Sequence, residues 1–130
     1  MTSNKRLLVL PGDGIGPEVM GEVRRVIDWF DRRRAVGFDI IEDLVGGVSY
    51  EAHGTPVTDE VVEQAMQSDA VLFGAVGGPK WDDPSAKTRP EDGLLELRTR
   101  LGVFANIRPV KVYPCLTDAS ALKPEVLEGV

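Results

Sequence analysis

Two arginines and a set of glycine turns carry the chemistry that this chain of 130 residues can offer. At about 100° per residue, a helix over Gly93–Leu101 places Leu94, Leu95, Leu97 and Leu101 on one apolar arc, with Arg98 near its middle. A guanidinium buried there must be paired, since an unpartnered charge taken out of water costs several kcal/mol. Two readings follow. Arg98 is bridged internally or snorkels outward, or it holds a carboxylate or phosphate beside apolar neighbours. Just downstream, strand alternation sets Phe104, Asn106 and Arg108 on one face and so supplies a second arginine. Two arginines with leucines beside them suit a small polycarboxylate that also carries an apolar group.

The glycines form a second pattern. Gly12-Asp13-Gly14-Ile15-Gly16 follows an apolar run and precedes Pro17, a residue suited to the first helical position. The spacing is G-x-G-x-G, and about twenty residues on stand Arg32, Arg33 and Arg34 rather than an acidic strand end, so the Rossmann fingerprint is absent. A tight strand-to-helix turn explains these glycines as well as ligand contact does. Gly74, Gly77 and Gly78 give a similar turn after a later apolar run, and ligands of open α/β sheets bind beyond the carboxyl ends of the strands.

These residues must be positioned by elements. Arg6–Leu10, Phe38–Val45 and Ala70–Ala75 read as buried strands. A helix from Pro17 carries Val19, Val23, Val26, Ile27 and Phe30 on an expected core stripe, and a helix begun by Thr58 carries Val61, Val62, Ala65 and Met66. The alternation predicts an α/β fold, a mainly parallel sheet with flanking helices. Gly77–Glu91 reads as a long loop, a length that is usually functional. Val103–Val112 reads as a strand interrupted by Pro109, at an edge or between domains. A short helix near Leu122 stops at Gly129, and Val130 resembles the start of another strand, so the chain is expected to continue.

Composition narrows the function. Fifteen Lys and Arg against 21 Asp and Glu give a net charge of −6, which argues against nucleic acid as a partner. No apolar run approaches the ~20 residues of a membrane span, and the N-terminus lacks a secretory signal pattern. With Cys115 alone there is no intrachain disulfide, and a reducing cytoplasm is the expected compartment. Cys115 reads as a packing residue, and His53, beside Gly54 and Pro56, as a loop residue without a second ligand at metal spacing.

Four segments together resemble the β-decarboxylating dehydrogenases of the isocitrate/isopropylmalate family, and within it the isopropylmalate branch. They are Leu10–Val19, Gly74–Trp81, Arg89–Arg98 and Phe104–Pro109. The resemblance covers the whole stretch but only the N-terminal part of such an enzyme. It implies a non-Rossmann, isopropylmalate dehydrogenase-like fold that is incomplete here: a cofactor-side domain over residues 1–102, and a second, dimerisation and substrate domain beginning over 103–130.

The same resemblance implies NAD as cofactor, with Ile15 near the nucleotide and with Gly77, Gly78, Pro79, Lys80, Trp81, Pro90 and Glu91 lining its site. Arg98 and Arg108 would hold the malate carboxylates, and Leu94 with Leu95 would contact the isopropyl group. The implied reaction is oxidation of 3-isopropylmalate by NAD and loss of CO2, giving 4-methyl-2-oxopentanoate in leucine biosynthesis by a cytoplasmic homodimer. A divalent metal, Mg or Mn, would be bound beyond Val130, as would the catalytic Tyr and Lys and a third substrate arginine, so this stretch alone is expected to be inactive. A relative acting on isocitrate or tartrate is the enzymatic alternative. A non-catalytic α/β module that binds an anion is the alternative from another class.

Overall fold

The computed structural model describes residues 5–83, 85 and 87–127. Three parallel strands form its sheet: β1 (Lys5–Gly12), β2 (Phe38–Glu42) and β3 (Ala70–Ala75), in the order β2-β1-β3. Leu7 pairs with Ile40 on one side and with Ala70 on the other, and Gly12 reaches Ala75. The apolar run Leu7–Leu10 is buried throughout because β1 is central and covered on both faces.

Leu8 and Leu10 project into a cluster with Val45, Val57, Val61, Val62, Ala65 and Leu97, which joins the sheet to α3 (Asp59–Met66) and α4 (Pro90–Arg100). Alternation turns Leu7 and Val9 to the opposite face, where α1 (Gly16–Arg34) lies against β1 and β3. Thr58 caps α3 as expected, its Oγ1 accepting from Val61 N at 3.3 Å. A short helix, α2 (Gly47–His53), follows β2.

Several expectations change. β2 and β3, expected as buried strands, are only half-buried because each lies at an edge of the sheet, and Met66, expected on the core side of α3, is exposed. The buried residues of α1 are Gly16, Met20 and Ile27, whereas Val19, Val26 and Phe30 are exposed. Gly16 sits so close to Pro11 and Ala75 that a β-carbon would collide with their backbone, and with it facing the sheet the buried stripe includes Met20 and keeps Ile27 of the expected set. β2 ends at Glu42, although Asp43 N still donates to Val9 O at 3.1 Å. The long loop is interrupted by a 3₁₀ turn at Pro79–Trp81, and α4 starts at Pro90 rather than Gly93. Asp92 supplies that start by accepting from Arg89 N at 2.7 Å.

The expected strand Val103–Val112 is absent. That segment has no regular structure and pairs with no strand among the described residues, with Phe104 99% and Ile107 85% exposed; Pro109 lacks a ladder donor. The last helix, α5, is described over Pro124–Leu127, while Gly129 and Val130 lie outside the described residues. Among the described residues no helix is long and apolar enough to cross a membrane.

Candidate functional site

The strand order reverses direction at β1: the chain leaves it for β2 on one side and returns to β3 on the other. Helices therefore diverge to opposite faces between the carboxyl ends of β1 and β3, the position where open α/β sheets form a ligand crevice. Gly12–Gly16 and Gly77–Gly78 both lie there, and a β-carbon on Gly14 would come within 3.4 Å of the Gly77 carbonyl. Gly12 and Gly16 are accounted for by packing against Ala75, whereas Gly78 faces open space.

Gly77 adopts φ +93°, a conformation that side chains disfavour, and a β-carbon on it would lie 2.6 Å from Glu91 Oε1. The turn after β3 and the first turn of α4 thus meet. Beyond Gly78, Trp81 N donates to Gly78 O at 2.8 Å and closes the 3₁₀ turn. The Trp81 ring covers Gly47 in the first turn of α2 so closely that no side chain fits at that position. Tyr50 meets the ring edge-on, with centroids 6.2 Å apart, and Lys80 pairs with Glu51 while its Nζ lies 5.2 Å from the Trp81 ring. The lysine and tryptophan anchor the turn, and Pro79 and Gly78 stay on its open side.

α4 carries the remaining candidates. Pro90, Gly93 and Leu97 face the core, with Gly93 pressed onto the Pro56 carbonyl, and this sets the rotation of the helix. Arg98 is consequently exposed rather than buried in a leucine arc, which corrects the expectation of an enclosed guanidinium. Among the described residues it makes no ion pair, so the internal-bridge reading lapses. Its neighbour Arg100 is engaged instead: a hydrogen bond to Asp59, aided by Glu96, raises its pKa above the usual arginine range.

Leu94 is half-buried and Leu95 is 57% exposed. Seven residues make almost two full turns, so Glu91 and Arg98 lie within about 20° of one face, separated by about 10 Å, with Leu94 and Leu95 flanking the line between them. Leu94 and Arg98 also border an open cavity of ≈ 650 Å³ with Val71, Phe73 and Leu101. Arg98 further borders a smaller groove along Val103–Ile107. Arg108 lines neither and is exposed. Ile15 is exposed at the start of α1 and borders a separate groove with Val19 and Val23.

The residue that sequence reasoning passed over is Asp13. It was read as part of a glycine turn, yet it is 4% exposed and its carboxylate accepts from Gly47, Val48 and Gly77. The available signal was an acidic residue set between two glycines shortly after the apolar run Leu7–Leu10. Among the described residues no three His, Cys, Asp or Glu side chains gather as a metal site.

A sequence model described as isocitrate/isopropylmalate dehydrogenase matches residues 6–130. A 3-isopropylmalate dehydrogenase of Paramagnetospirillum magneticum is 56% identical over 126 residues, which are 97% of this chain and 34% of that protein. Another, of Anaeromyxobacter dehalogenans, is 58% identical over 127 residues, 98% of this chain and 36% of that protein. The chain thus spans about a third of the length of the curated relatives it matches.

Among solved structures, a β-decarboxylating dehydrogenase of Thermococcus kodakarensis shares 36% identity at TM-score 0.58, covering 75% of this chain and 27% of that one. An isocitrate dehydrogenase of Methylococcus capsulatus, at 21% identity, TM-score 0.58 and coverage of 75% and 26%, shares the fold.

Proposed function

Since this chain belongs to the isocitrate/isopropylmalate dehydrogenase family, we propose that it is the N-terminal part of an NAD-dependent enzyme that oxidatively decarboxylates 3-isopropylmalate to 4-methyl-2-oxopentanoate in leucine biosynthesis. The observation that carries the substrate choice is the exposed line along α4, where Glu91 stands beside Gly77 and an unpaired Arg98 lies almost two turns on, with Leu94 and Leu95 between. A cation next to an exposed leucine fits a carboxylate that carries a branched alkyl group. Isocitrate and tartrate offer no alkyl group to Leu95.

In this reading Ile15, Gly77, Gly78, Pro79, Lys80, Trp81, Pro90 and Glu91 bound the cofactor site. The open face of Gly78 leaves room for a nucleotide to approach the backbone, and the Lys80 and Trp81 contacts with α2 keep that face in place. NAD bound there would supply the two-electron oxidant for the hydroxyl-bearing carbon. Arg98, joined by Arg108, holds the substrate carboxylates and so orients that carbon, while Leu94 and Leu95 exclude water around the isopropyl group. The described residues do not fit a metal site, and we assign the Mg or Mn expected for such an enzyme to residues outside this stretch. Residues 1–102 would belong to the cofactor-side domain and 103–130 to the start of a second, dimer-forming domain of a cytoplasmic homodimer.

The test is steady-state kinetics of the full-length protein with NAD and each of 3-isopropylmalate, isocitrate and tartrate. The highest kcat/KM is expected for 3-isopropylmalate; a higher value for either rival would overturn the substrate assignment.

A further inference from the structure

Asp13 is the one buried carboxylate among the described residues, and no cation pairs with it. Its partners are backbone amides. Oδ2 accepts from Gly47 N at 2.7 Å and from Gly77 N at 3.0 Å, and Oδ1 accepts from Val48 N at 2.8 Å. Its own N–H donates to Ala75 O at 2.7 Å. The turns that follow β1, β2 and β3 therefore converge on one side chain, at the end of the sheet where the crevice opens.

The glycines beside the carboxylate are closed to side chains. A β-carbon on Gly46 would lie 2.5 Å from Asp13 Oδ2, and Gly47 is closed on its other side by the Trp81 ring. The glycine pair Gly46-Gly47 is thus the place where a carboxylate and an indole meet one backbone segment. Hydrogen bonds to an ionised acceptor are stronger than neutral ones, and in a buried setting each restricts its donor to a narrow arc.

We propose that Asp13 is a positioning residue for the cofactor site. Its carboxylate fixes the Gly77 N–H and hence the Gly77–Trp81 turn against the β1–α1 turn. The proposal rests on the NAD-site reading above and adds to it a residue that touches no nucleotide. The amides of Gly47, Val48 and Gly77 point at Asp13, so the protein itself satisfies them and the turns offer nucleotide a fixed surface.

The test compares the full-length wild type with Asp13→Asn, which preserves shape but turns one acceptor into a donor facing amides. KM for NAD should rise on the order of tenfold or more, while KM for 3-isopropylmalate changes less than about threefold. Amide exchange at Gly47, Val48 and Gly77 should accelerate in the variant, and the β1–β2 ladder should exchange as before. An unchanged KM for NAD, or an equal loss on both substrates, would overturn the proposal while leaving the NAD reading intact. A wild type that binds no NAD by calorimetry would overturn both. Should Asp13→Asn fail to fold, exchange in the wild type decides: the three amides must be protected together without nucleotide, and an unprotected Gly77 amide refutes the assignment.

Discussion

Glu91 places its carboxylate oxygen 2.6 Å from the point that a β-carbon on Gly77 would occupy, so the turn after β3 and the start of α4 share one space. The clash that Gly77→Ala would create involves the tip of a flexible side chain and is cheap to relieve. The backbone at φ +93° is not. We expect Gly77→Ala to destabilise the full-length protein by about 1–3 kcal/mol. Adding Glu91→Ala should recover less than about 0.5 kcal/mol in a double-mutant cycle followed by denaturant unfolding. Recovery of most of the loss would show that crowding, rather than backbone conformation, requires glycine.

Arg98 is exposed and makes no ion pair among the described residues, which sharpens the expectation for Arg98→Leu. Stability should change within about ±0.5 kcal/mol, as for a surface residue. The loss in kcat/KM for 3-isopropylmalate should correspond to about 2–5 kcal/mol, the cost of removing one partner of a desolvated charge pair. Thermal melts and steady-state kinetics on the same preparation separate the two, and a large fall in Tm with unchanged kcat/KM would assign Arg98 a structural role.

The leucine pair divides by burial. Leu94 is half-buried at the cavity beside β3, and Leu95 is mostly exposed. Leu94→Ser and Leu95→Ser should each weaken use of 3-isopropylmalate more than use of malate, which lacks the alkyl group, by about 10- to 200-fold in relative kcat/KM. Only Leu94→Ser should also lower stability by more than about 0.5 kcal/mol. Equal losses on both substrates would mark a leucine as packing alone.

Gly47→Ala should expel the Trp81 ring from the first turn of α2. In a Trp29→Phe background, which leaves Trp81 as the reporting indole among the two tryptophans of this stretch, its emission should move to longer wavelength and acrylamide should quench it more strongly. Unchanged fluorescence would mean that the 3₁₀ turn is held by Lys80 and Glu51 without the indole.

The sheet was legible because Leu7–Leu10 and Ala70–Ala75 are apolar runs, and the burial of β1 on both faces leaves that trace in the sequence. Rotations were less legible. α1 and α4 each offer more apolar residues than one face can bury, and the choice falls to close contacts of Gly16 with Ala75 and of Gly93 with Pro56, which depend on residues distant in the chain. For the same reason Arg98 could be placed on a helix but not assigned a side. Asp13 was missed because its partners are backbone amides of two other turns, and amides carry no residue-type signal.

β1 occupies the middle of the sheet, so β2 and β3 each present one unpaired edge among the described residues. The two edges are not alike. β2 carries Asp39 and Glu42, charges that discourage a foreign strand, whereas Ala70-Val71-Leu72-Phe73-Gly74-Ala75 has no charged residue and no proline. Wherever this edge meets another chain before a strand has closed over it, β3 is the segment through which molecules would add to one another in register. Among the described residues, the strand most open to such addition is therefore the one whose carboxyl end leads into the candidate cofactor turn.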